Sequence, residues 1–251
     1  RLCKSLPLRV QMRIVQKIID WLQIAAIGVF TAFFAFLGFI LLPMGQANAL
    51  RIASKLWSKC LFGVTGVKLE VNNPHSRQFY SKNKFIFVSN HESNFDIPAL
   101  FSAIPEALFF IAKKELQKVP FMGWYMWAVG MIFIDRGNRE KSKKSMIKAG
   151  EQIKRGKNVM SFPEGTRSRT GKVETFKKGS FLLSRSTGIP IIPVSVKGAA
   201  ECIPAGKFEI HPGTIHVHIG RPIHPDEMSD LNPAQFAEAV RQKVLELRNG
   251  K

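Results

Sequence analysis

The sequence has few cysteines, few tyrosines and few acidic residues. Three Cys in 251 residues cannot build a disulfide framework, and this usage fits a reducing compartment. Only two Tyr stand beside 20 Phe, and because a Phe ring has no polar handle, many of these rings are expected in the core, in lipid or in an acyl-binding site. The 18 Asp and Glu are outnumbered by 37 Lys and Arg, which gives a formal net charge of +19. This excess indicates an anionic partner, which can be nucleic acid, an anionic membrane surface or a phosphorylated substrate.

A long uncharged run near the N-terminus predicts a membrane attachment. Hydrophobic residues make up 45% of the chain, so a packed core is expected and wholesale disorder is excluded. Residues 21–42 carry no charge. A helix of that length rises about 33 Å, which is enough to cross a hydrocarbon core. The alternative is a buried helix of a soluble protein.

Basic residues lie on both sides of this run, which favours a segment that enters one leaflet and returns. Basic flanks mark the cytoplasmic ends of membrane helices, and here both flanks are basic. A bend is therefore expected near Gly28, Gly38 or Pro43. Segments 8–22 and 46–62 each place apolar residues on one face and basic residues on another, which predicts amphipathic helices that lie at an anionic interface or pack on the soluble domain. The basic residues before the run are Arg1, Lys4, Arg9, Arg13 and Lys17, and those after it are Arg51, Lys55 and Lys59.

After Gly66 the pattern alternates between strands and helices. Alternation of this kind predicts an α/β fold with a mixed, largely parallel sheet flanked by helices. Such sheets place their sites in loops at the carboxyl ends of the strands. We expect two parts, namely N-terminal membrane-associated helices over 1–62 and one domain over 63–251. The predicted strands are 67–71, 84–89, 108–112, 132–135, 159–162, 191–196 and 214–219, and the predicted helices are 95–103, 121–129, 138–155, 177–187 and 233–248, the last with Asn232 as N-cap and Pro233 at its first position.

The first of four blocks that carry chemistry or shape is residues 90–96 (NHESNFD), directly after a predicted strand. Histidine is the usual general base near neutral pH. If the chain turns from strand into helix, Asp96 can fold back onto the His91 imidazole, fix its tautomer and stabilise the imidazolium. The spacing alone also fits a His91 that caps a helix, with Asp96 in the first turn where the dipole favours a carboxylate.

The second and fourth blocks differ in what they offer. Residues 130–136 (GMIFIDR) end a predicted strand in a charged pair, and Arg136 can bind a phosphate bidentately unless it forms a simple surface pair with Asp135. Residues 189–194 (IPIIPV) carry no acid, base or nucleophile, so this block is expected to supply shape. Pro193 within it predicts an edge strand or a bulge, because proline cannot donate to a β-ladder.

The third block is residues 162–168 (FPEGTRS), which follow another predicted strand. Gly165 lets the backbone approach an anion, Thr166 can donate a hydrogen bond, and Arg167 supplies a guanidinium fork. Glu164 can hold a substrate hydroxyl or orient the arginine. The alternative is a charged turn between a strand and a helix.

In this order the blocks resemble the four motifs of the glycerolipid acyltransferases: NHxxxxD, GxxFIDR, FPEGTRS and the proline block IPIIPV. The resemblance runs from about residue 66 to residue 225 and is closest to the bacterial lysophosphatidic acid acyltransferases. It implies that His91 is the general base for the acceptor hydroxyl and that Asp96 orients it. Asn90 and Glu164 are motif positions to which the resemblance assigns no definite role. The residues implied to bind the acceptor's phosphate are Lys113, Arg136, Gly165, Thr166 and Arg167.

The implied reaction transfers an acyl group from a thioester to the sn-2 hydroxyl of 1-acyl-glycerol-3-phosphate, which gives phosphatidic acid. The sequence has no GxSxG elbow and no Cys in a motif, so direct transfer without an acyl-enzyme is expected. No cofactor and no metal are expected, and the co-substrate is acyl-ACP or acyl-CoA. Glycerol-3-phosphate or another lysophospholipid is the alternative acceptor.

Three other classes of function compete with this interpretation. A nucleic-acid binder fits the charge, but the sequence has no zinc pattern, RNP signature or basic helix-turn-helix. A metal-dependent hydrolase would use His216 and His218, which alternate on a strand near His211 and His224, but no carboxylate or Cys joins them at ligand spacing. A non-enzymatic module that binds anionic lipid would not need a general base.

The expected partners follow from charge placement and resemblance together. They are an anionic phospholipid membrane, lysophosphatidic acid, and an acyl-carrier protein or coenzyme A thioester, with no nucleic acid. The expected location is the cytoplasmic face of a bacterial inner membrane, with monotopic or re-entrant N-terminal helices.

Overall fold

The structure, a computed structural model, describes residues 8–135, 137, 139–207 and 209–250. The strands in this part of the chain are β1 (Lys68–Asn72), β2 (Ile86–Ser89), β3 (Leu108–Lys113), β4 (Ile132–Ile134), β5 (Asn158–Ser161), β6 (Ile191–Lys197) and β7 (Thr214–Ile219). The helices are α1 (Leu8–Leu41), α2 (Gln46–Thr65), α3 (Arg77–Lys82), α4 (Asp96–Ala103), α5 (Met122–Ala128), α6 (Arg139–Lys154), α7 (Gly179–Thr187), α8 (Ala199–Cys202) and α9 (Pro233–Arg248). Short 3-10 turns lie at Leu42–Met44, Lys114–Lys118 and Pro225–Met228.

The strands form one sheet in the order β1-β7-β6-β2-β5-β3-β4. Neighbouring strands are parallel except β6 and β7, which are antiparallel. The predicted fold class, a mixed and largely parallel sheet flanked by helices, is therefore confirmed. Because β6, β2, β5, β3 and β4 run the same way, their carboxyl ends meet at one edge of the sheet, where ligands bind in open α/β folds.

Helices cover both faces of the sheet. Alternate residues of each strand point to opposite faces, so each face contributes side chains to its own buried cluster. On one side, Phe87 of β2 joins Leu100 of α4 in a buried apolar cluster that also contains residues of α2. On the other side, Ile86 and Phe236 belong to a second buried cluster, formed by β2 with α6, α7 and α9. The sheet is thus packed between two separate apolar clusters.

The N-terminal segment forms a helical hairpin. Helix α1 is continuous from Leu8 to Leu41, so segments 8–22 and 21–42 belong to one helix and no bend occurs at Gly28 or Gly38. The chain turns at the third predicted position: Pro43 lies in the 3-10 turn, and Gly45 follows with a φ of +92°. Helix α2 then returns along α1, where the Trp57 indole donates to Thr31 Oγ1 at 3.1 Å.

The two helices of the hairpin differ in burial. Helix α2 is buried against α4 and the domain core through Ala49, Leu50, Ala53 and Leu61. Within the described residues, segment Gln11–Met44 is the one helix that is long and apolar enough to cross a membrane, judged by length and composition alone. Large apolar side chains that α1 exposes are Met12, Ile14, Val15, Ile18, Ile19, Trp21, Leu22, Val29, Phe33, Phe36 and Ile40.

Strand β6 lies inside the sheet between β7 and β2, so the edge position expected for Pro193 is wrong. The alternative expectation, a bulge, describes what is present. Val194 pairs with Ile219 whereas Ile191 bridges to Ile223, so the segment after β7 carries one extra residue opposite Pro193. This irregularity lets the sheet accept a residue that has no N–H to donate.

The start of α9 matches its sequence signature. Asn232 Oδ1 accepts hydrogen bonds from Ala234 N at 2.9 Å and Gln235 N at 3.0 Å, and Pro233 occupies the first helical position. The Gln235 side chain in turn accepts from Asn232 N at 2.8 Å, which completes a capping box. The predicted N-cap is confirmed, and the cap fixes the start of the helix that covers β6.

Candidate active site

The strand β2 ends at Ser89, and a tight turn then brings His91 and Asp96 together. His91 Nδ1 lies 2.7 Å from Asp96 Oδ2. The same carboxylate oxygen accepts the backbone N–H groups of Glu92 at 2.7 Å and Ser93 at 2.9 Å. Asp96 is fully buried, so its position is set by these three donors.

The alternative interpretation of this block, in which His91 caps a helix, does not agree with the structure. Asp96 does lie in the first turn of α4, but the N-cap residue is Phe95 and no side chain caps the helix. His91 instead uses Nδ1 for the carboxylate, which leaves Nε2 as the ring nitrogen available to a substrate. An imidazole held in this way has its tautomer and its ring orientation fixed.

The imidazole is also fixed by an aromatic neighbour. Its ring stacks on Phe162, with centroids 4.0 Å apart and an interplanar angle of 12°. The His91 side chain keeps 16% of its surface exposed, so it is accessible from outside although it is held on two sides. Phe162 opens the FPEGTRS block, and sequence reasoning gave this ring no role.

The loop after β5 is bonded directly to the backbone of His91. Glu164 Oε1 accepts from His91 N at 3.0 Å, and Ser168 N donates to His91 O at 2.7 Å. Glu164 is 5% exposed, and its burial raises the pKa of this carboxyl to about 8, against the opposing effect of the bond from His91 N. Asp96 nearby adds to the upward shift. Glu164 therefore joins the two loops, and its raised pKa favours the neutral carboxyl.

Of the residues expected to bind phosphate, those that the structure describes lie at the carboxyl edge, and the sequence analysis missed one basic side chain beside them. Gly165 has a φ of +80°, and a Cβ at this position would lie 2.5 Å from Lys177 Nζ. Thr166 is exposed and Arg167 is half-buried. Lys177 N donates to Pro163 O at 2.9 Å, which brings this lysine back over the loop. The Lys177–Lys178 pair just before a helix was the available signal.

Lys113 lies at the end of the sheet formed by β3 and β4. Lys113 is the last residue of β3, and Lys113 Nζ lies 3.7 Å from Glu115 Oε1 with its side chain 55% exposed. The register pairs Lys113 with Ile134, the last residue of β4. Arg136 itself lies outside the described residues.

Asn90 has a structural function that the sequence did not reveal. Its side-chain amide donates to Val196 O at 2.8 Å, and its Oδ1 accepts from Val196 N at 2.9 Å. The amide therefore takes the place of a backbone partner at the end of β6. The residue before the histidine is thereby fixed to the neighbouring strand.

The four histidines considered for a metal lie elsewhere. His216 and His218 share the half-exposed face of β7, as their alternation predicted, and His216 Nδ1 lies 3.1 Å from Glu70 Oε2. Across the described residues, no group of three or more His, Cys, Asp or Glu has a geometry that could hold a metal ion.

Comparisons with known proteins point to one family. Residues 68–197, more than half of the chain, match the protein family described as Acyltransferase. Among curated relatives, the 1-acyl-sn-glycerol-3-phosphate acyltransferase of Escherichia coli is 30% identical over 188 residues, which cover 72% of this chain and 75% of that protein. The protein of the same name from Saccharomyces cerevisiae is 31% identical over 200 residues, which cover 78% of this chain and 66% of the relative.

A solved structure agrees with the sequence relatives. The crystal structure of the 1-acyl-sn-glycerophosphate (LPA) acyltransferase PlsC from Thermotoga maritima matches with a TM-score of 0.76 and 28% identity, covering 94% of this chain and 97% of that one. The chain spans just under two thirds of the yeast relative and 44% of a chloroplast relative from Arabidopsis thaliana.

Fold and site together define an α/β domain with a His–Asp pair at the carboxyl edge of its sheet. The family match indicates that the reaction of this enzyme is acyl transfer. The chain belongs to the acyltransferase family.

Proposed function

We propose that this protein transfers a fatty acyl group from a thioester to the sn-2 hydroxyl of 1-acyl-glycerol-3-phosphate. The observation that carries the proposal is the 2.7 Å contact between His91 Nδ1 and Asp96 Oδ2 at the carboxyl edge of the sheet. The names of the E. coli and T. maritima relatives support the choice of acceptor. The product would be phosphatidic acid.

In the proposed mechanism, His91 Nε2 takes the proton of the acceptor hydroxyl. The Asp96 carboxylate stabilises the imidazolium that forms, and the alkoxide oxygen attacks the thioester carbonyl. The tetrahedral intermediate then breaks its C–S bond, and the leaving thiolate takes the proton from His91. No acyl-enzyme forms, because the acceptor itself is the nucleophile.

The acceptor's phosphate is proposed to lie at the same edge, against the loop that follows β5. Gly165 and Thr166 would allow close backbone approach, and Arg167 would bind two phosphate oxygens. Lys113 would add charge from the end of β3, and Arg136 would do so beyond β4. The proposal for Arg136 rests on the motif alone, since this residue lies outside the described part of the chain.

The acyl donor is proposed to be acyl-ACP or acyl-CoA, with no cofactor beyond this co-substrate. Both donors are anionic, and a chain with a net charge of +19 would attract either of them. The hairpin of α1 and α2 is proposed to attach the protein to the cytoplasmic face of a bacterial inner membrane, where the acceptor lipid resides. The apolar surface that α1 exposes supports this location.

A transfer assay with purified protein tests the proposal. Lysophosphatidic acid, glycerol-3-phosphate and another lysophospholipid are each paired with acyl-ACP and with acyl-CoA, and product is measured by mass spectrometry. Lysophosphatidic acid should be the preferred acceptor, and activity should survive chelation of metals. Preference for glycerol-3-phosphate would move the protein to another branch of the family.

The His91→Ala variant separates the enzyme from a lipid-binding module. Loss of transfer is expected with vesicle binding unchanged and a cooperative thermal unfolding transition retained, because the variant loses the base and its contacts to Asp96 and Phe162 but keeps the rest of the fold. Substantial residual transfer would overturn the mechanism. An inactive wild-type protein that still binds anionic lipid would favour the non-enzymatic alternative.

A further inference from the structure

Glu92, between His91 and Asp96 in the motif, is a buried carboxylate that neither motif nor mechanism uses. Its side chain is 2% exposed. Glu92 Oε1 accepts the backbone N–H groups of Ala199 at 2.9 Å and Ala200 at 3.3 Å, at the start of α8. Its own backbone N–H donates to Asp96 Oδ2, the oxygen that holds the imidazole. Glu92 therefore connects the catalytic turn, the segment from His91 to Asp96, to the start of α8.

The second oxygen of Glu92 faces an arginine from the far end of the chain. Arg248, the last residue of α9, places Nη2 2.8 Å from Glu92 Oε2. The contact is an ion pair without a linear hydrogen bond. The guanidinium N–H groups are directed to the carbonyls of Val196 and Gly171. With an exposed fraction of 18%, Arg248 is itself largely shielded from water.

Because the Glu92 carboxyl is buried, loss of the ion pair with Arg248 is expected to disturb the turn that holds His91 and Asp96. Burial raises the pKa of the Glu92 carboxyl, and the charge of Arg248 opposes this shift. A buried carboxylate that loses its cationic partner must either remain unpaired at a large cost or take up a proton. In both cases the side chain would shift, and its backbone N–H would pull on Asp96.

We propose that Arg248 is a positioning residue for acyl transfer, and that it acts through Glu92 to hold His91 and Asp96 in register. This inference rests on the proposed function. The three contacts form a continuous path, from the guanidinium to the Glu92 carboxylate, through the Glu92 backbone to Asp96 Oδ2, and from there to His91 Nδ1. The path enters the turn through Glu92, whereas the FPEGTRS loop contacts the backbone of His91.

The chain offers a matched control on the same helix. Arg241 of α9 is 22% exposed and, like Arg248, donates to two backbone carbonyls, those of Val173 and Glu174. Its acidic neighbour is Glu238 in the same helix, so this ion pair does not lead to the catalytic turn. Arg241→Met removes an arginine of similar burial and similar hydrogen bonding.

The experiment compares Arg248→Met, Glu92→Gln, the double variant and Arg241→Met in the transfer assay. Arg248→Met should lower kcat roughly 10- to 100-fold with the KM for lysophosphatidic acid little changed, because misplacement of the base acts on the chemical step. The double variant should recover much of this loss, since the neutral amide that Glu92→Gln introduces can still accept from Ala199 N and needs no cation. Arg241→Met should keep kcat within about twofold of wild type.

Each outcome decides between positioning and simple stabilisation. If Arg248 only stabilised the fold through its carbonyl contacts, Glu92→Gln could not rescue its loss, and Arg241→Met would reduce kcat to the same degree. Wild-type kcat in Arg248→Met, or a double variant no better than it, overturns the proposal. If wild type is active but one of these two results is found, the proposed function stands and only the role of Arg248 is rejected. If wild type is inactive, the proposed function and the role of Arg248 are both rejected. Melting temperatures of wild type, the two single variants and the double variant report separately whether the two side chains are energetically coupled.

Discussion

Asp96 holds the histidine through one oxygen that three donors share. The imidazole and the N–H groups of Glu92 and Ser93 all converge on Oδ2. The two backbone donors fix the carboxylate, so the carboxylate can fix the ring. The geometry of the His91–Asp96 pair therefore depends on the backbone turn as much as on the two side chains.

Asp96→Asn should lower kcat by on the order of 10³-fold or more, as the equivalent change does in Ser–His–Asp hydrolases. The amide can still accept from the two backbone N–H groups, so the turn should persist, but a neutral amide cannot stabilise the imidazolium. The measurement is kcat with saturating lysophosphatidic acid, with circular dichroism and thermal unfolding as controls for folding. A loss below about tenfold would show that the ring does not depend on this carboxylate.

Glu164 predicts a specific pH dependence of stability. Its carboxyl has a pKa of about 8 in the folded protein, against an ordinary value of 4.5, so the folded state binds this proton more tightly than the unfolded state. The resulting stabilisation is complete below pH 4.5 and is lost as the pH rises towards 8. Glu164→Gln should remove this loss, and the midpoint of thermal unfolding should fall less between these pH values than in wild type. Parallel curves for the two proteins would contradict the assignment.

At the scale of elements, strand positions could be predicted because their signals are local. β-rich runs bounded by charged or turn residues gave all the described strands to within a few residues, and the rule for parallel sheets then brought the motifs to one edge. The sequence did not predict that segments 8–22 and 21–42 form one continuous helix. A change from an amphipathic to a wholly apolar pattern marks no helix end, because it does not break a helix. The interior position of Pro193 depends on a bulge in the partner segment, which has no local signature.

The missed site residues have a common physical reason. Lys177 lies beside Gly165 because the loop between them folds back. Arg248 contacts Glu92 although the two residues are separated by most of the sequence. Contacts between residues so far apart leave no spacing pattern in one sequence. His91 and Asp96, five residues apart, do leave such a pattern, and the motif-based hypothesis therefore found the pair but not what supports it.

Substitution by alanine is expected to change stability in opposite directions at two glycines of α1. A Cβ at Gly38 would lie 2.2 Å from ring atoms of Tyr125 in α5, whereas a Cβ at Gly28 meets no atom within 4 Å. Tyr125 is 8% exposed, so its ring has little room to move. Gly38→Ala should cost about 1–3 kcal/mol from overpacking, less the helical gain of alanine. Gly28→Ala should show only that gain, about 0.5–1 kcal/mol.

Thermal unfolding in detergent micelles measures both variants. A lower midpoint for Gly38→Ala and an equal or higher one for Gly28→Ala are expected. Equal effects at the two positions would mean that the packing of α1 on α5 contributes little to stability.

At the scale of the whole molecule, the exposed apolar surface of α1 and the positive net charge both support the proposed membrane attachment. The exposed apolar residues of α1 extend along a helix that packs on α2 and α5, and α2 in turn packs on α4. The phosphate-binding candidates that the structure describes lie at the carboxyl edge of the sheet. A protein attached through α1 would thus keep its site within reach of a lipid headgroup, and the +19 charge would favour an anionic bilayer.

Sedimentation with vesicles tests this arrangement against the nucleic-acid alternative. Binding to phosphatidylglycerol vesicles should exceed binding to phosphatidylcholine vesicles at about 0.1 M salt, and should weaken but persist at about 0.5 M, because salt screens charge and not apolar contact. Phe33→Ser combined with Phe36→Ser should reduce binding at both salt concentrations, since these rings are 55% and 58% exposed on α1. Leu182→Ser, which removes an exposed apolar side chain from α7 on the opposite face of the sheet, should bind like wild type. Affinity for duplex DNA equal to that for anionic vesicles at matched salt, or unchanged binding by the double Phe variant, would contradict a membrane attachment through α1.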